Sequence, residues 1–329
     1  MFAPHETPAL SRGHIDVAGH RRTDDAWLRK AWADPETRVL VLQGGDPGSY
    51  GWQAMLARQS QALVTTAPGG DGTSRPRLLL VGPGDAPEGD RYLLGTDADG
   101  LSYFAVRAAG DDPFADLPGA ADAEPASLRE VGALLDARDS GLLTHAVAVA
   151  NWNAAHRFCP MCGAPTRPEA AGHLRICTED GTEHYPRMDP AVIMLVHRET
   201  DGVEQCLLGH NPRWPGGRYS VLAGFVEPGE SLEQAVVREV AEETGVRVCD
   251  PVYLGSQPWP FPRSLMLGYT ARATGTAERT DDEISEVRWL SRDELYAAAE
   301  SGEILLPGSV SIARKIIEHW YGGPLPGEW

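Results

Sequence analysis

Residues 224–246 read GFVEPGESLEQAVVREVAEETGV, and this stretch decides both fold and chemistry. Pro228 and Gly229 mark a tight turn, and Ser231 with Gln234 three residues later has the spacing of a capping box. In a capping box two side chains satisfy the orphan amides of a first helical turn, so the spacing predicts a helix from near Leu232. Gly245 ends it, because glycine enters the left-handed conformation of a C-cap without steric cost. On that helix Glu239, Glu242 and Glu243 fall on one stripe, since residues three and four apart stack on the same face. The stripe borders the apolar edge of Leu232, Val236 and Val240, which puts it at the lip of a core.

Carboxylates that close raise one another's proton affinity and weaken the helix unless cations neutralise them. An ordinary acidic helix face is balanced by lysines and arginines; here Arg238 is the only cation in the segment. Oxygen donors clustered this way suit Mg2+ or Mn2+, which bind a few carboxylates, keep some waters and use substrate phosphate oxygens for the rest. The implied chemistry is phosphate chemistry.

Gly224, Glu230, Arg238, Glu239, Val240, Glu242, Glu243, Gly245 and Val246 stand at the spacing of the Nudix box, which the segment resembles at every fixed position. The resemblance implies an α/β/α sandwich that hydrolyses nucleoside diphosphates linked to another group. It implies that Glu239, Glu242 and Glu243 hold divalent ions and that Glu243 also orients or deprotonates the attacking water. Glu230 and Arg238 would mainly brace loop and helix.

The rest of the chain bounds that reading. At 329 residues it can bury a large core and hold two or three domains. No run of 18 apolar residues suggests a membrane span, and MFAPHETPALSRGH lacks the layout of a secretory signal, so a cytoplasmic protein is expected. A net charge of −18 argues against broad nucleic-acid binding, which relies on cationic surface, but leaves room for a local basic pocket.

Residues 1–125 read as a separate α/β module with a structural role, in dimerisation for example. Its strand signals are Arg38–Leu42, Arg77–Val81 and Gly100–Val106, with a breaker-rich connection over Ala67–Pro76. The acidic, Pro/Ala-rich stretch Asp111–Pro125 marks its boundary. A helical connector, 126–157, opens with a second capping-box spacing at Ser127 and Glu130, followed by Leu128, Val131, Leu134 and Leu135 at helical intervals. A further helix is expected from near Thr144 to Arg157.

Over 158–187, Cys159 and Cys162 form a CxxC that is followed at ribbon spacing by Cys177. Three cysteines at this spacing, among five in all, fit a structural tetrahedral Zn2+ site in a reducing compartment better than a disulfide framework. The fourth ligand is open between Asp180, which stands where a second CxxC would put cysteine, and His184.

The last segment, 188–329, carries strand signals at Ala191–Val196, Glu204–Gly209 and Tyr219–Phe225, ahead of the box. Arg213, Trp214 and Arg218 lie in a Pro/Gly loop that could neutralise a pyrophosphate. After the box, residues 256–264 read SQPWPFPRS, whose prolines exclude a helix or central strand and predict a rigid extended loop displaying Trp259 and Phe261. Further strands are expected over Ser264–Ala273 and Glu286–Leu290, and closing helices over Arg292–Glu300 and Ser309–Trp320.

Following a zinc ribbon and a Nudix box, SQPWPFPRS resembles the motif that marks the NADH pyrophosphatase (NudC) branch of the Nudix family. That resemblance implies cleavage of NADH or NAD+ to nicotinamide mononucleotide and AMP, and possible removal of NAD caps from RNA by the same chemistry. It implies a homodimer in which the substrate ring stacks on Phe225 and Tyr185, while Gln257, Trp259, Phe261 and Ser264 of the motif close the pocket. It also implies a further metal-binding glutamate near Asp281 and Asp282, either Glu283 or its rival Glu286. A hydrolase of ADP-ribose or other nucleoside diphosphate derivatives is the alternative activity. A ligand sensor without turnover is disfavoured, because no box glutamate is eroded. The fold class expected is α+β: a Nudix sandwich, a zinc-ribbon insert and a separate N-terminal module.

Overall fold

The computed structural model describes residues 1–2, 7–13, 15–44, 59–68, 74–110, 112–275 and 283–329. The centre of the Ala67–Pro76 connection, Asp111 and the pair Asp281 and Asp282 lie outside the described residues. Two compact units emerge, one of Arg12–Met188 with Pro260–Arg263, the other of Met1–Ser11, Asp189–Trp259 and Ser264–Trp329.

In the first unit, helix α1 (Asp25–Ala33) starts where the Asp24 carboxylate accepts the Trp27 amide at 2.9 Å. Strands β1 (Arg38–Gln43), β2 (Gln61–Pro68), β3 (Ser74–Leu78), β4 (Leu80–Val81), β5 (Gly89–Thr96), β6 (Ser102–Ala108) and β7 (Glu124–Ser127) form one sheet. Its order is β3-β2-β1-β6-β5, with β4 beside β1 and β7 beside β2. The apolar run Arg77–Val81, expected as one strand, is two: Leu78 pairs with β2, and Leu80 and Val81 with β1. Gly100 has a φ of 83° and belongs to a turn, so the strand expected from there starts at Ser102.

Helix α2 (Leu128–Val131) forms the expected capping box but stops after one turn, leaving Leu134 exposed. Helix α3 (Ala137–Ala155) begins well ahead of the expected Thr144, because Asp136 caps it by accepting the Asp139 amide at 2.8 Å. A three-stranded antiparallel ribbon follows, of β8 (Thr166–Glu169), β9 (Leu174–Cys177) and β10 (Glu183–His184).

The second unit is a sandwich. Strands β11 (Asp189–Thr200), β12 (Val203–His210), β13 (Leu222–Phe225), β14 (Val248–Trp259), β15 (Ser264–Ala273) and β16 (Glu286–Ser291) make a mixed sheet, and β13 pairs with β11. Helix α4 (Leu232–Thr244) covers one face; α5 (Arg292–Glu300) and α6 (Ile312–Tyr321) cover the other. Side chains alternate across a strand, so β11 feeds both cores. Val192, Met194 and Val196 pack with Val236 and Val240 of α4, and Ile193 and Leu195 with Leu295, Ile312 and Ile316. A strand buried on both faces reads as a continuous apolar run, which is how residues 191–196 read.

The expectation of a rigid loop at SQPWPFPRS needs correction. Gln257, Pro258 and Trp259 end β14 and pair antiparallel with Met266, Leu265 and Ser264. β14 lies at the sheet edge, where a proline without an amide donor breaks no ladder. Only Pro260–Arg263 turn, and they pack as part of the other unit.

Candidate active site

Helix α4 forms as its sequence dictates. Ser231 Oγ accepts the Gln234 amide and the Gln234 carboxamide accepts the Ser231 amide, while Gly245 adopts φ 71° at the C-cap. Of the stripe, Glu239 lies against Gly224 of β13, Glu243 is only 5 % exposed and Glu242 stands in solvent.

Arg238 ties this corner together. Its Nε and Nη2 each donate to Glu230 at 2.8 Å, and Nη2 also donates to the Phe225 carbonyl at 2.9 Å. Nη1 reaches Glu239 at 2.9 Å and Glu242 at 3.0 Å. The pairing holds Glu230 below the usual carboxylate range and raises Arg238 above its own. Glu239 shifts the other way: burial raises its proton affinity, and the charges of Glu242 and Glu283 add to that against the pull of Arg238. A carboxylate held uncomfortable by burial and by two like charges is one that a divalent cation relieves. The donor set therefore fits Mg2+ or Mn2+.

Glu283 and Glu286 separate in the structure. Glu283 is near enough to Glu239 for its charge to be felt there, whereas Glu286 pairs with His210 in the β12–β16 ladder and, after burial, raises the proton affinity of the Tyr219 hydroxyl.

The residues expected around the substrate ring have unequal surroundings. Phe225 is 58 % exposed and Tyr185 64 %, both available to stack, and the Tyr185 hydroxyl donates to Glu183. Trp259 and Ser264 face each other at the mouth of the hairpin, both half-buried. Gln257 is fully buried and donates to the Val310 carbonyl at 2.8 Å, and its own carboxamide oxygen has no partner among the described residues. Phe261 is buried with the Arg129 guanidinium 4.3 Å over its ring. In the same unit Asn151 donates to the Pro260 carbonyl at 2.9 Å. Nothing in the sequence points to Arg129 or Asn151, which lie more than a hundred residues from the turn they hold.

In the ribbon the Sγ atoms of Cys159, Cys162 and Cys177 and a carboxylate oxygen of Asp180 all lie within 4.8 Å of one another. Two turns of the same design bring them there. The Cys159 amide donates to Ala164 and its carbonyl accepts from Gly163; the Cys177 amide donates to Thr182 and its carbonyl accepts from Gly181. Gly163 and Gly181 have matching φ values of 77° and 73°. Asp180 thus stands in the second turn where Cys162 stands in the first. His184 lies outside this group of four but close enough to Cys159 to help lower its thiol, after the backbone amides of Cys162 and Met161.

Comparison with known proteins agrees with this arrangement. The family model of the NUDIX domain matches residues 187–307, that of the NADH pyrophosphatase zinc ribbon domain 154–185, and that of the NADH pyrophosphatase-like rudimentary NUDIX domain 52–152. The chain is 40 % identical to a Mycobacterium bovis protein described as an NAD-capped RNA hydrolase NudC, over 97 % of this chain and 96 % of that one. This chain belongs to the NudC family of Nudix hydrolases.

A human relative, NAD-capped RNA hydrolase NUDT12, is 40 % identical over 56 % of this NudC-family chain and 42 % of its own length. A solved NUDIX hydrolase from Nitrosomonas europaea aligns at 24 % identity over 52 % of this chain and 96 % of that one, with a TM-score of 0.39. The NudC-family assignment accounts for the α+β architecture, with its Nudix sandwich, zinc ribbon and N-terminal module. Among the described residues no helix is long and apolar enough to cross a membrane.

Proposed function

We propose that this hydrolase cleaves the pyrophosphate of NADH or NAD+ to nicotinamide mononucleotide and AMP, and that it also removes NAD caps from RNA. The observation that carries the reading is the half-buried carboxylate of Glu239, which lies against Gly224, the neighbour of the exposed Phe225, and feels the charges of Glu242 and Glu283. Glu239, Glu242, Glu243 and Glu283 would hold Mg2+ or Mn2+, which neutralises phosphate charge and lowers the proton affinity of water. The water oxygen joins one phosphorus, the bridging P–O bond breaks, and each product leaves with one phosphate. Glu243, buried at the base of the stripe, orients that water and takes its proton, while Arg238 fixes Glu230 and Glu239 against the loop.

The exposed Phe225 supplies a ring face for the nicotinamide, and Trp259 and Ser264 pair at the mouth of their hairpin; Tyr185 is the further ring that the family resemblance implies. Gln257 and Phe261 of the same motif are buried, held by the Val310 carbonyl and the Arg129 guanidinium respectively. The ribbon holds Zn2+ through Cys159, Cys162, Cys177 and Asp180, in a structural role that fits a closed four-donor site. A homodimer in the cytoplasm is the assembly expected from the family.

The names of the Mycobacterium and human relatives favour NAD-capped RNA as a second substrate. The charge of −18 fits entry of a single-stranded 5′ end better than long contacts with RNA. The test is product analysis. Purified protein with Mg2+ or Mn2+ should convert NADH to reduced nicotinamide mononucleotide and AMP, and Glu243→Gln should nearly abolish both. Failure of the native protein on NADH, with turnover of ADP-ribose, would move the assignment to the general nucleoside diphosphate hydrolases. NADH and NAD-capped RNA at equal concentration rank the two substrates, and light scattering gives the assembly, where a monomer mass would sink the dimer.

A further inference from the structure

Glu283 stands at the head of a stem whose next three residues are each fixed to one post. Ile284 is buried against Gly209, where an added β-carbon would meet its methyl groups at 3.2 and 3.3 Å. Ser285 donates through both its amide, at 3.0 Å, and its hydroxyl, at 3.2 Å, to the carbonyl of His210. Glu286 is the ladder partner of His210 and, after burial, is what most raises the proton affinity of the Tyr219 hydroxyl.

His210 is itself held. Its Nδ1 lies 2.7 Å from the Arg218 carbonyl, which can only accept, so Nδ1 carries the proton. Its ring packs on Tyr219 with centroids 5.5 Å apart, and Tyr219 is 6 % exposed. The contacts run from the Arg218 carbonyl to the His210 ring, from that ring to Tyr219, and from the His210 backbone to Ser285 and Glu286. A carboxylate at the end of a loop loses conformational entropy when it binds an ion, and a braced stem has lost most of it beforehand.

We propose that His210 and Tyr219 are positioning residues that hold Glu283 toward the carboxylates of α4, and that Glu286 is part of this support and not a metal ligand. The inference rests on the reading of Glu283 as a ligand, and the residues involved lie outside the Nudix box. The loop that carries Arg218 thereby gains a role different from pyrophosphate neutralisation: its backbone fixes the His210 ring.

The test is Mn2+ binding to the full chain, followed by the electron paramagnetic resonance signal of free Mn2+, beside NADH kinetics at saturating Mn2+. Tyr219→Phe removes only a hydroxyl and should weaken Mn2+ binding about tenfold, the low end for loss of a group that orients a ligand. Its KM for NADH at saturating Mn2+ should stay that of the native protein. His210→Ala should behave likewise, and His210→Asn, whose amide nitrogen can keep the bond to the Arg218 carbonyl, should recover much of the loss. Native Mn2+ affinity in Tyr219→Phe and His210→Ala, with weakened affinity in Glu283→Gln, would overturn the positioning role alone. A larger loss in Glu286→Gln than in Glu283→Gln would make Glu286 the ligand and overturn the proposal. Unchanged affinity in Glu283→Gln would instead remove the reading on which it rests. If His210→Ala does not fold, Tyr219→Phe and Ser285→Ala decide.

Discussion

The carboxylate of Glu239 lies against the α-carbon of Gly224, so closely that a β-carbon there would come within 1.9 Å of Glu239 Cδ and 2.0 Å of its Oε1. The glycine that opens the box is therefore fixed by space and not by backbone conformation. Gly224→Ala must displace either β13, which pairs with Val192 at this point, or the Glu239 side chain. Because a side chain moves more cheaply than a buried strand, the expected outcome is a folded protein with its melting temperature lowered by only a few degrees and turnover of NADH reduced at least tenfold. Native turnover would mean that Glu239 does not act from the position seen here.

Arg238 holds Glu230 and Glu239 through a forked guanidinium, a geometry that lysine cannot reproduce. Arg238→Lys keeps the charge and loses the fork. NADH turnover should fall while Mn2+ binding weakens, and the melting temperature should drop, since the bond to the Phe225 carbonyl also goes. If Arg238→Lys matched the native protein in all three measurements, charge alone would suffice at this corner.

The segment from Ser231 to Gly245 was fully legible in sequence, because capping, helical periodicity and the glycine stop are local properties that tertiary packing did not override. The sandwich followed from continuous apolar runs such as 191–196. The reading of SQPWPFPRS failed for a reason of context. Prolines report only which ladder bonds are impossible, and an edge strand does not need them. The division of Phe225 and Phe261 into an exposed ring and a buried one was invisible, since Arg129, which covers Phe261, is distant in sequence. The N-terminal boundary of α3 was missed because the cap at Asp136 lacks the glutamate or glutamine that completes a capping box.

Phe225 presents its ring to solvent and joins none of the apolar cores formed by the described residues. Stacking of a base-like ring on an aromatic side chain is worth about 1–3 kcal/mol, which corresponds to a rise of roughly tenfold in KM for NADH on Phe225→Ala with kcat little changed. An unchanged KM would remove Phe225 from the pocket.

His145, half-buried, and His173, buried, pair with ring centroids 5.2 Å apart in the unit of Arg12–Met188. Burial, reinforced by the charge of Arg22, holds His145 down to about 4 and His173 to about 3, against hydrogen bonds to the Leu94 and Leu93 carbonyls. Both are lowered from an unfolded value of 6.5, so below that pH the unfolded chain binds more protons than the folded one. Stability is then lost as pH falls from 6.5 toward 4, by about 1.4 kcal/mol per pH unit for each histidine. Thermal melts across this range should show a steep decline that is shallower in His145→Gln with His173→Gln. Equal slopes would assign the acid sensitivity to carboxylates elsewhere.

The two turns of the ribbon differ in one ligand position, Cys162 in the first and Asp180 in the second, with the same backbone hydrogen bonds around both. A carboxylate is a harder donor than a thiolate and binds Zn2+ less tightly beside three sulfurs, so this chain should hold its metal more loosely than a four-cysteine ribbon would. Asp180→Cys should therefore retain zinc against a chelator longer than the native protein, as measured by metal content after dialysis. Asp180→Ala should lose it, and Cys177→Ser should lose it together with the fold of the ribbon, because Cys177 is buried. His184→Ala should retain metal, since that ring lies outside the group of four. Zinc lost from His184→Ala and kept in Asp180→Ala would make the imidazole the fourth ligand, and the likeness of the two turns would then have no bearing on the metal.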